Sequence, residues 1–324
     1  MLEKAIFQIT NTTEFEALAL QVFQYQYTHV SVYRDFCNLL NKTPNAVKTI
    51  ENIPFLPIQF FKTHSILSSE KKAETIFTSS GTTGDTLSRH FVANTSLYEE
   101  SFCKAFQLFY GNPKDWTILA LLPSYLEREG SSLIYMVQSL INKTEDPNSG
   151  FYLHNHDVLI QKILEQEAKA KKTLLIGVSY ALLDLIEKQH FQLAHTTVLE
   201  TGGMKGKRKE LIKSALHDTL KKGFGVTEIH SEYGMTELLS QAYSLGKGIF
   251  KTPPWMKILT RDTEDALTSI SGKTGGINVI DLANLYSCSF IATQDLGKLY
   301  PTGNFEILGR FDTSDIRGCN LMVL

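Results

Sequence analysis

Residues 116–122 read Trp-Thr-Ile-Leu-Ala-Leu-Leu and are closed by Pro123. An apolar run without polar alternation, stopped by a breaker, suits a strand buried on both faces, as in a parallel sheet covered by helices. The flanking sequence alternates to match. Helical spacing predicts helices over 96–110, 131–141, 157–170, 180–188 and 205–222, with further strands at 173–178 and 196–199. Strands separated by helices in this order predict an α/β fold with a largely parallel sheet flanked by helices. Ahead of it, Thr13-x-x-Glu16 forms a capping box, and Phe15, Leu18, Val22 and Tyr25 follow at helical spacing, predicting a helix over 13–27. A second helix is expected over 31–40. Beyond residue 248 the pattern changes to short strands at 275–280, 289–293 and 305–307, so the chain is expected to divide into an α/β core, 1–248, and a smaller β-rich lobe, 249–324.

The 324 residues are 43% hydrophobic and 20% charged, enough apolar side chain for a sizeable core. The net charge of -2 provides no global attraction to nucleic acid or to an anionic membrane, so a bound anion must be held locally. No apolar run reaches the roughly 18 residues of a membrane span. The N-terminus shows no apolar stretch followed by a small-residue cleavage site, which makes the cytoplasm the expected location. Cys37, Cys103, Cys288 and Cys319 lack the spacing of a zinc cluster or a disulfide framework.

Local anion binding has an obvious place. Thr78, Ser79, Ser80, Gly81, Thr82, Thr83 and Gly84 follow the apolar pair Ile76-Phe77. Glycines let a backbone approach a ligand, and hydroxyls add rotatable donors that follow phosphate oxygens. Asp85 stands where a P-loop would need lysine, so the pattern is not that of a P-loop NTPase.

Three further stretches stand in order behind this loop: Tyr233-Gly234-Met235-Thr236-Glu237, Thr293-Gln294-Asp295-Leu296-Gly297 and Gly309-Arg310-Phe311-Asp312. Together with the loop they resemble the phosphate loop, YGxTE, TGDLG and GRxD motifs of the adenylate-forming enzymes, which activate carboxylic acids with ATP. The resemblance implies a fold like the N-terminal domain of that superfamily and a requirement for ATP and Mg²⁺. It implies that Glu237 binds Mg²⁺, that Thr82 and Thr83 grasp phosphate oxygens, and that Tyr233 packs on adenine. It further implies that Asp295 accepts from the ribose hydroxyls and that Arg310 faces the ribose or α-phosphate. Gly202 and Gly203, in Glu-Thr-Gly-Gly-Met-Lys after a predicted strand, resemble the turn that lines the adenine pocket.

The sequence ends soon after Arg310, so the family's mobile C-terminal domain and its lysine are expected to be lacking; Arg89 is a substitute source of positive charge. The shortened LuxE-type acyl-protein synthetases, which pass a fatty acid from ATP activation to a cysteine thiol, match this length. Ile53-Pro54-Phe55-Leu56-Pro57, Ser131 to Met136 and Gly202-Gly203-Met204-Lys205 resemble their blocks. By that resemblance Cys319, beside the hinge residue Gly318, is the acyl acceptor, and an acyl-CoA reductase or acyl carrier is the partner; a final buried strand would account for the same cysteine. Two rivals remain: an acyl-CoA or acyl-carrier ligase of the phenylacetate-CoA ligase type, and a non-catalytic nucleotide- or acyl-binding subunit. His154 and His156 have no further ligand at metal spacing, and the basic run Lys205 to Lys209 reads as a solvated helix face.

Overall fold

The computed structural model describes residues 2–79, 86–123, 130–202 and 211–311. Its centre is a sheet whose first half is parallel. Gly150–Phe151, Thr117–Leu121, Thr173–Val178, Thr196–Thr201 and His230–Tyr233 lie side by side in that order. All five residues of Thr117–Leu121 and all six of Thr173–Val178 are buried, as an apolar strand covered on both faces requires.

Beyond Tyr233 the same sheet turns antiparallel. Ala242–Ser244, Phe250–Lys251, Phe305–Arg310, Phe290–Leu299, Thr274–Asp281, Met256–Arg261 and Ser269–Ile270 continue it without a break. Leu56–Pro57 pairs parallel to Phe290–Leu299, Leu56 opposite Ile291. A separate hairpin joins Thr75–Thr78 to Arg89–Val92.

The N-terminal helices pack on the antiparallel half. Helix Thr12–His29 buries Phe23 and Gln26. The Gln26 amide donates to the carbonyls of Asn284 and Leu285 and accepts from the Ser289 backbone at 2.9 Å. Tyr33 stacks on Phe290 with ring centroids 5.9 Å apart. The helix cap differs from the expected box. Asn11, extended at φ -149°, accepts from Glu14 N at 3.0 Å, and the Glu14 carboxylate takes Thr10 N at 2.8 Å. Asn at the N-cap with Glu three residues on satisfies the free N–H groups two residues earlier than Thr13 could.

The expected helix 205–222 is observed as Lys213–Phe224, because Ile212 is extended and caps it; residues 205–210 lie outside the described residues. Gly225, at φ +66°, ends it in the left-handed conformation. Between Thr12 and Thr201 the other expected helices and strands are found within three residues of their predicted ends.

Candidate active site

The sheet changes from parallel to antiparallel at His230–Tyr233, and the crevice opens there. At this junction the carboxyl ends of Thr196–Thr201 and His230–Tyr233 leave backbone groups free of the sheet. A cavity of about 130 Å³ is lined by Thr78, Gly202, Gly234 and Thr236, together with Ser132 and Glu232. Thr78 is anchored by its N–H to the Gly130 carbonyl at 2.8 Å, and the two strands of the hairpin are tied again by Ser88 N donating to Ser79 Oγ at 3.0 Å.

Successive residues of a strand point to opposite faces, and Glu232 and Tyr233 divide accordingly. The Tyr233 ring lies against Phe250 and Phe305, and its hydroxyl donates to Asp295 Oδ2 at 2.8 Å. Asp295 is buried opposite Arg310 in the register of the last two strands, and Arg310 Nε donates to Asp295 Oδ1 at 2.9 Å. The Arg310 side chain remains 76% exposed and free to meet an incoming anion. Beneath this pair, buried Arg261 holds the Ile277 and Thr293 carbonyls and Asn278, and Thr293 Oγ1 accepts from Asp295 N at 3.1 Å. Asp295 is thus held in place before any ligand arrives.

On the other face of the strand, Glu232 accepts a short hydrogen bond from Thr201 Oγ1. Burial pushes its carboxyl up to about 7, against the pull of Thr201. The open face of Gly234 is turned toward Glu232 Oε1, which a Cβ there would displace. Glu200, one strand over, shows the contrary case. Burial alone would raise it, but His217, Lys213 and Ser231 hold it at about 2.

The loop that follows the strand is clamped from the antiparallel half. Asp281 accepts from Leu239 N and Ser240 N, both at 2.8 Å, from Ser240 Oγ at 2.6 Å and from Ala283 N at 3.1 Å. Asn284 Nδ2 donates to the Glu237 carbonyl at 2.7 Å. His90, from the hairpin, lies 3.0 Å from the Thr236 carbonyl through Nδ1 and 2.7 Å from Ser287 Oγ through Nε2. A carbonyl can only accept, so Nδ1 carries the proton, and burial lowers the ring to about 4 and keeps it neutral. Glu237 itself is 6% exposed; burial raises its carboxyl, while Ser88, Arg310 and Lys62 favour its charged form. A single carboxylate is a fitting Mg²⁺ contact, since that ion keeps most of its ligands from phosphate and water.

Thr78, Gly202, Gly234 and Thr236 therefore line one cavity, and Tyr233, Asp295 and Arg310 form one bonded chain on the far side of the same strand. Ser79 adjoins Thr78 in the hairpin neck, and Glu237 adjoins Thr236. Ser80, Gly81, Thr82, Thr83, Gly84, Gly203 and Cys319 lie outside the described residues. Burial raises the thiols of Cys37, to about 12, and of Cys103 and Cys288, which leaves Cys37 and Cys288 in the core and Cys103 half-buried against it, all of low reactivity. Among the described residues no three His, Cys, Asp or Glu side chains group as a metal site, and His156 begins a helix. Sequence reasoning gave no role to His90, Glu232, Asp281 or Asn284; Glu232 alone carried a signal, as the acidic neighbour of the YGxTE stretch.

The fold is similar to that of enzymes solved with ATP or with an acyl-adenylate. It is similar to that of the ATP-bound MatB of Rhodopseudomonas palustris, with a TM-score of 0.54 and 20% identity over 72% of this chain and 47% of that one. It is also similar to 2-hydroxyisobutyryl-CoA ligase solved with 2-HIB-AMP and CoA, with a TM-score of 0.66 and 13% identity over 94% of this chain and 72% of that one.

Residues 9–106 match the family model of the acyl-protein synthetase LuxE. A stretch of 68 residues is 38% identical to a long-chain-fatty-acid–luciferin-component ligase of Photorhabdus luminescens, covering 21% of this chain and 58% of the relative. Family model and relative agree with the resemblance read from the motifs. No helix among the described residues is long and apolar enough to cross a membrane.

Proposed function

We propose that this protein activates a fatty acid with ATP as an acyl-adenylate and passes the acyl group to a cysteine thiol. The observation that carries the reading is the convergence of Thr78, Gly234 and Thr236 on one cavity, with the Tyr233–Asp295–Arg310 chain behind it. The substrate carboxylate needs no base, being ionised already. Its oxygen attacks the α-phosphorus, the bond to the β-phosphate oxygen breaks, and pyrophosphate leaves with the electron pair. Thiolate attack on the acyl carbon then expels AMP and leaves a thioester.

The chain's own residues divide the work. Thr78, Ser79 and Thr236, with Ser80 to Gly84, offer hydroxyl and N–H donors to the phosphates. Asp295, already oriented by Tyr233 and Arg310, accepts from the ribose hydroxyls, and the exposed Arg310 fork meets the α-phosphate. Glu237 holds Mg²⁺, which offsets phosphate charge when bound. Gly202 and Gly203 line the adenine side, and Cys319 takes the acyl group.

The test incubates the protein with ATP, Mg²⁺ and a panel of carboxylic acids, then measures AMP release and intact mass. A hydroxylamine-sensitive acyl mass that disappears in Cys319→Ser is the expected result; its persistence in that variant removes the cysteine from the account. The likeness of the fold to a CoA ligase favours one second reading, transfer to coenzyme A or an acyl carrier protein. Acyl-CoA or acyl-carrier product in place of an acylated chain would establish it.

A further inference from the structure

Thr78 and Thr236 line one cavity but come from pieces of backbone that share no ladder. Thr78 ends the first strand of the hairpin, Thr236 follows His230–Tyr233, and among the described residues the hairpin forms a sheet of its own. A two-stranded hairpin is marginal by itself, so side chains have to fix its place against the main sheet. Phe77 supplies apolar contact, packing on Tyr98 and Tyr135 with ring centroids 5.5 and 5.6 Å away.

The polar link is His90. It stands opposite Phe77 in the hairpin register and is fully buried. Its Nδ1–H donates to the Thr236 carbonyl at 3.0 Å, and Nε2 accepts from Ser287 Oγ at 2.7 Å. Phe61 meets the imidazole edge to face at 5.5 Å and holds its plane. The next carbonyl along the chain, that of Glu237, is taken by Asn284 Nδ2. Two consecutive carbonyls are thus tied, one to the hairpin and one to the antiparallel half, and the Glu237 side chain projects from the backbone held between them. Ser88, two residues before His90 and buried as well, favours the charged form of Glu237.

We propose that His90 is a positioning residue for the nucleotide: its Nδ1–H sets Thr236 and Glu237 at a fixed distance from Thr78, so that hydroxyls and carboxylate meet one Mg²⁺–triphosphate together. The inference rests on the adenylation reading for what occupies the cavity, and deepens it by naming the residue that joins the cavity's two sides.

The experiment compares two amides. His90→Asn keeps an N–H donor where Nδ1 stands and loses the reach to Ser287. His90→Gln carries its amide out to where Nε2 stands and leaves the Thr236 carbonyl bare. Each forfeits one hydrogen bond, so the urea midpoints should drop by similar amounts. Binding should differ. In calorimetry with Mg²⁺ and α,β-methylene-ATP, His90→Asn should bind within about threefold of the wild type and His90→Gln about tenfold or more weakly, the worth of one hydrogen bond. Ser287→Ala, which spares the bond to Thr236, should match His90→Asn. His90→Leu, similar in bulk and without a donor, should fall with His90→Gln and stands in for it if that variant does not fold. In acid-dependent pyrophosphate exchange, the Mg²⁺ concentration for half the maximal rate should rise in His90→Gln and hold in His90→Asn.

A merely structural histidine would make affinity follow the urea midpoint. Equal binding by the Asn and Gln variants, a loss in Ser287→Ala as large as in His90→Gln, or no binding by the wild type overturns the proposal. Exchange separates the two readings. Variants that rank as expected in binding, with a wild type that supports exchange with no carboxylic acid, defeat the adenylation reading and leave the role of His90 standing. Exchange by the wild type, with equal binding across the variants, does the reverse.

Discussion

The two halves of the sheet supply different chemistry to the crevice. From Thr117 to Tyr233 the strands are parallel, and what reaches the site from their ends and from the helix after Thr117–Leu121 is mostly small or hydroxylated, Ser132, Thr201, Gly202 and Gly234, with Glu232 as the one carboxyl among the cavity's lining residues. From Ala242 to Arg310 the strands are antiparallel, and what reaches the site is charged and held by register: Asp295 faces Arg310, with Arg261 beneath. The difference follows from backbone geometry. The carboxyl end of a parallel strand leaves N–H groups unpaired for an anion, whereas an antiparallel pair places two chosen side chains directly opposite each other. A crevice at the seam has both.

The comparison is broken most severely where the seam itself is touched. Glu237→Gln keeps the fold but removes the charge beside Thr236, and acid-dependent pyrophosphate exchange should fall by about 10²–10³-fold, the scale of losing one preorganised electrostatic contact. Unchanged exchange, with circular dichroism showing a native fold, would remove Glu237 from the site. Asp281→Ala cuts the clamp from the antiparallel half. It leaves the Ser240 and Ala283 N–H groups buried without their acceptor and Leu239 N with Asn284 Oδ1 alone, and urea unfolding should show a loss of about 3 kcal/mol or more.

The third prediction sharpens the contrast between two carboxyls of the parallel half. Glu232 is raised from 4.5 to about 7, so the folded state binds more protons than the unfolded one within that window, and its contribution to stability is lost as pH rises through it. Glu200 is lowered to about 2, so its contribution is present above 4.5 and is lost as pH falls through the range below. Urea midpoints from pH 4.5 to 7.5 should therefore fall less in Glu232→Gln than in the wild type. An identical slope would mean that Glu232 is ionised throughout. The smallest expected effect belongs to Arg310→Gln. Its side chain is exposed, so stability should change by less than about 1 kcal/mol, while the KM for ATP rises. A large destabilisation would make the Arg310–Asp295 pair a structural strut.

Much of the parallel half was legible because its signal is local. Thr173–Val178 is found with its predicted ends, since six buried residues in a row leave no other reading. The antiparallel half was read less well. Met256–Arg261, Ala242–Ser244 and Phe250–Lys251 were not foreseen, and the segment expected at 289–293 extends as Phe290–Leu299. These strands are defined by partners distant in sequence, which periodicity cannot show. The same holds for the site. Tyr233, Asp295 and Arg310 were legible as motifs, but Asp281, Asn284 and His90 act through single hydrogen bonds to the loop after Tyr233, and nothing in their neighbouring residues marks them.

The account depends on separated stretches of the chain meeting around one nucleotide, and a crystal structure with ATP and Mg²⁺ tests this most directly. The account predicts phosphates between Thr78 and Thr236, with the ribose hydroxyls in hydrogen-bond reach of Asp295. Nucleotide density elsewhere, or none at saturating concentration, would contradict it.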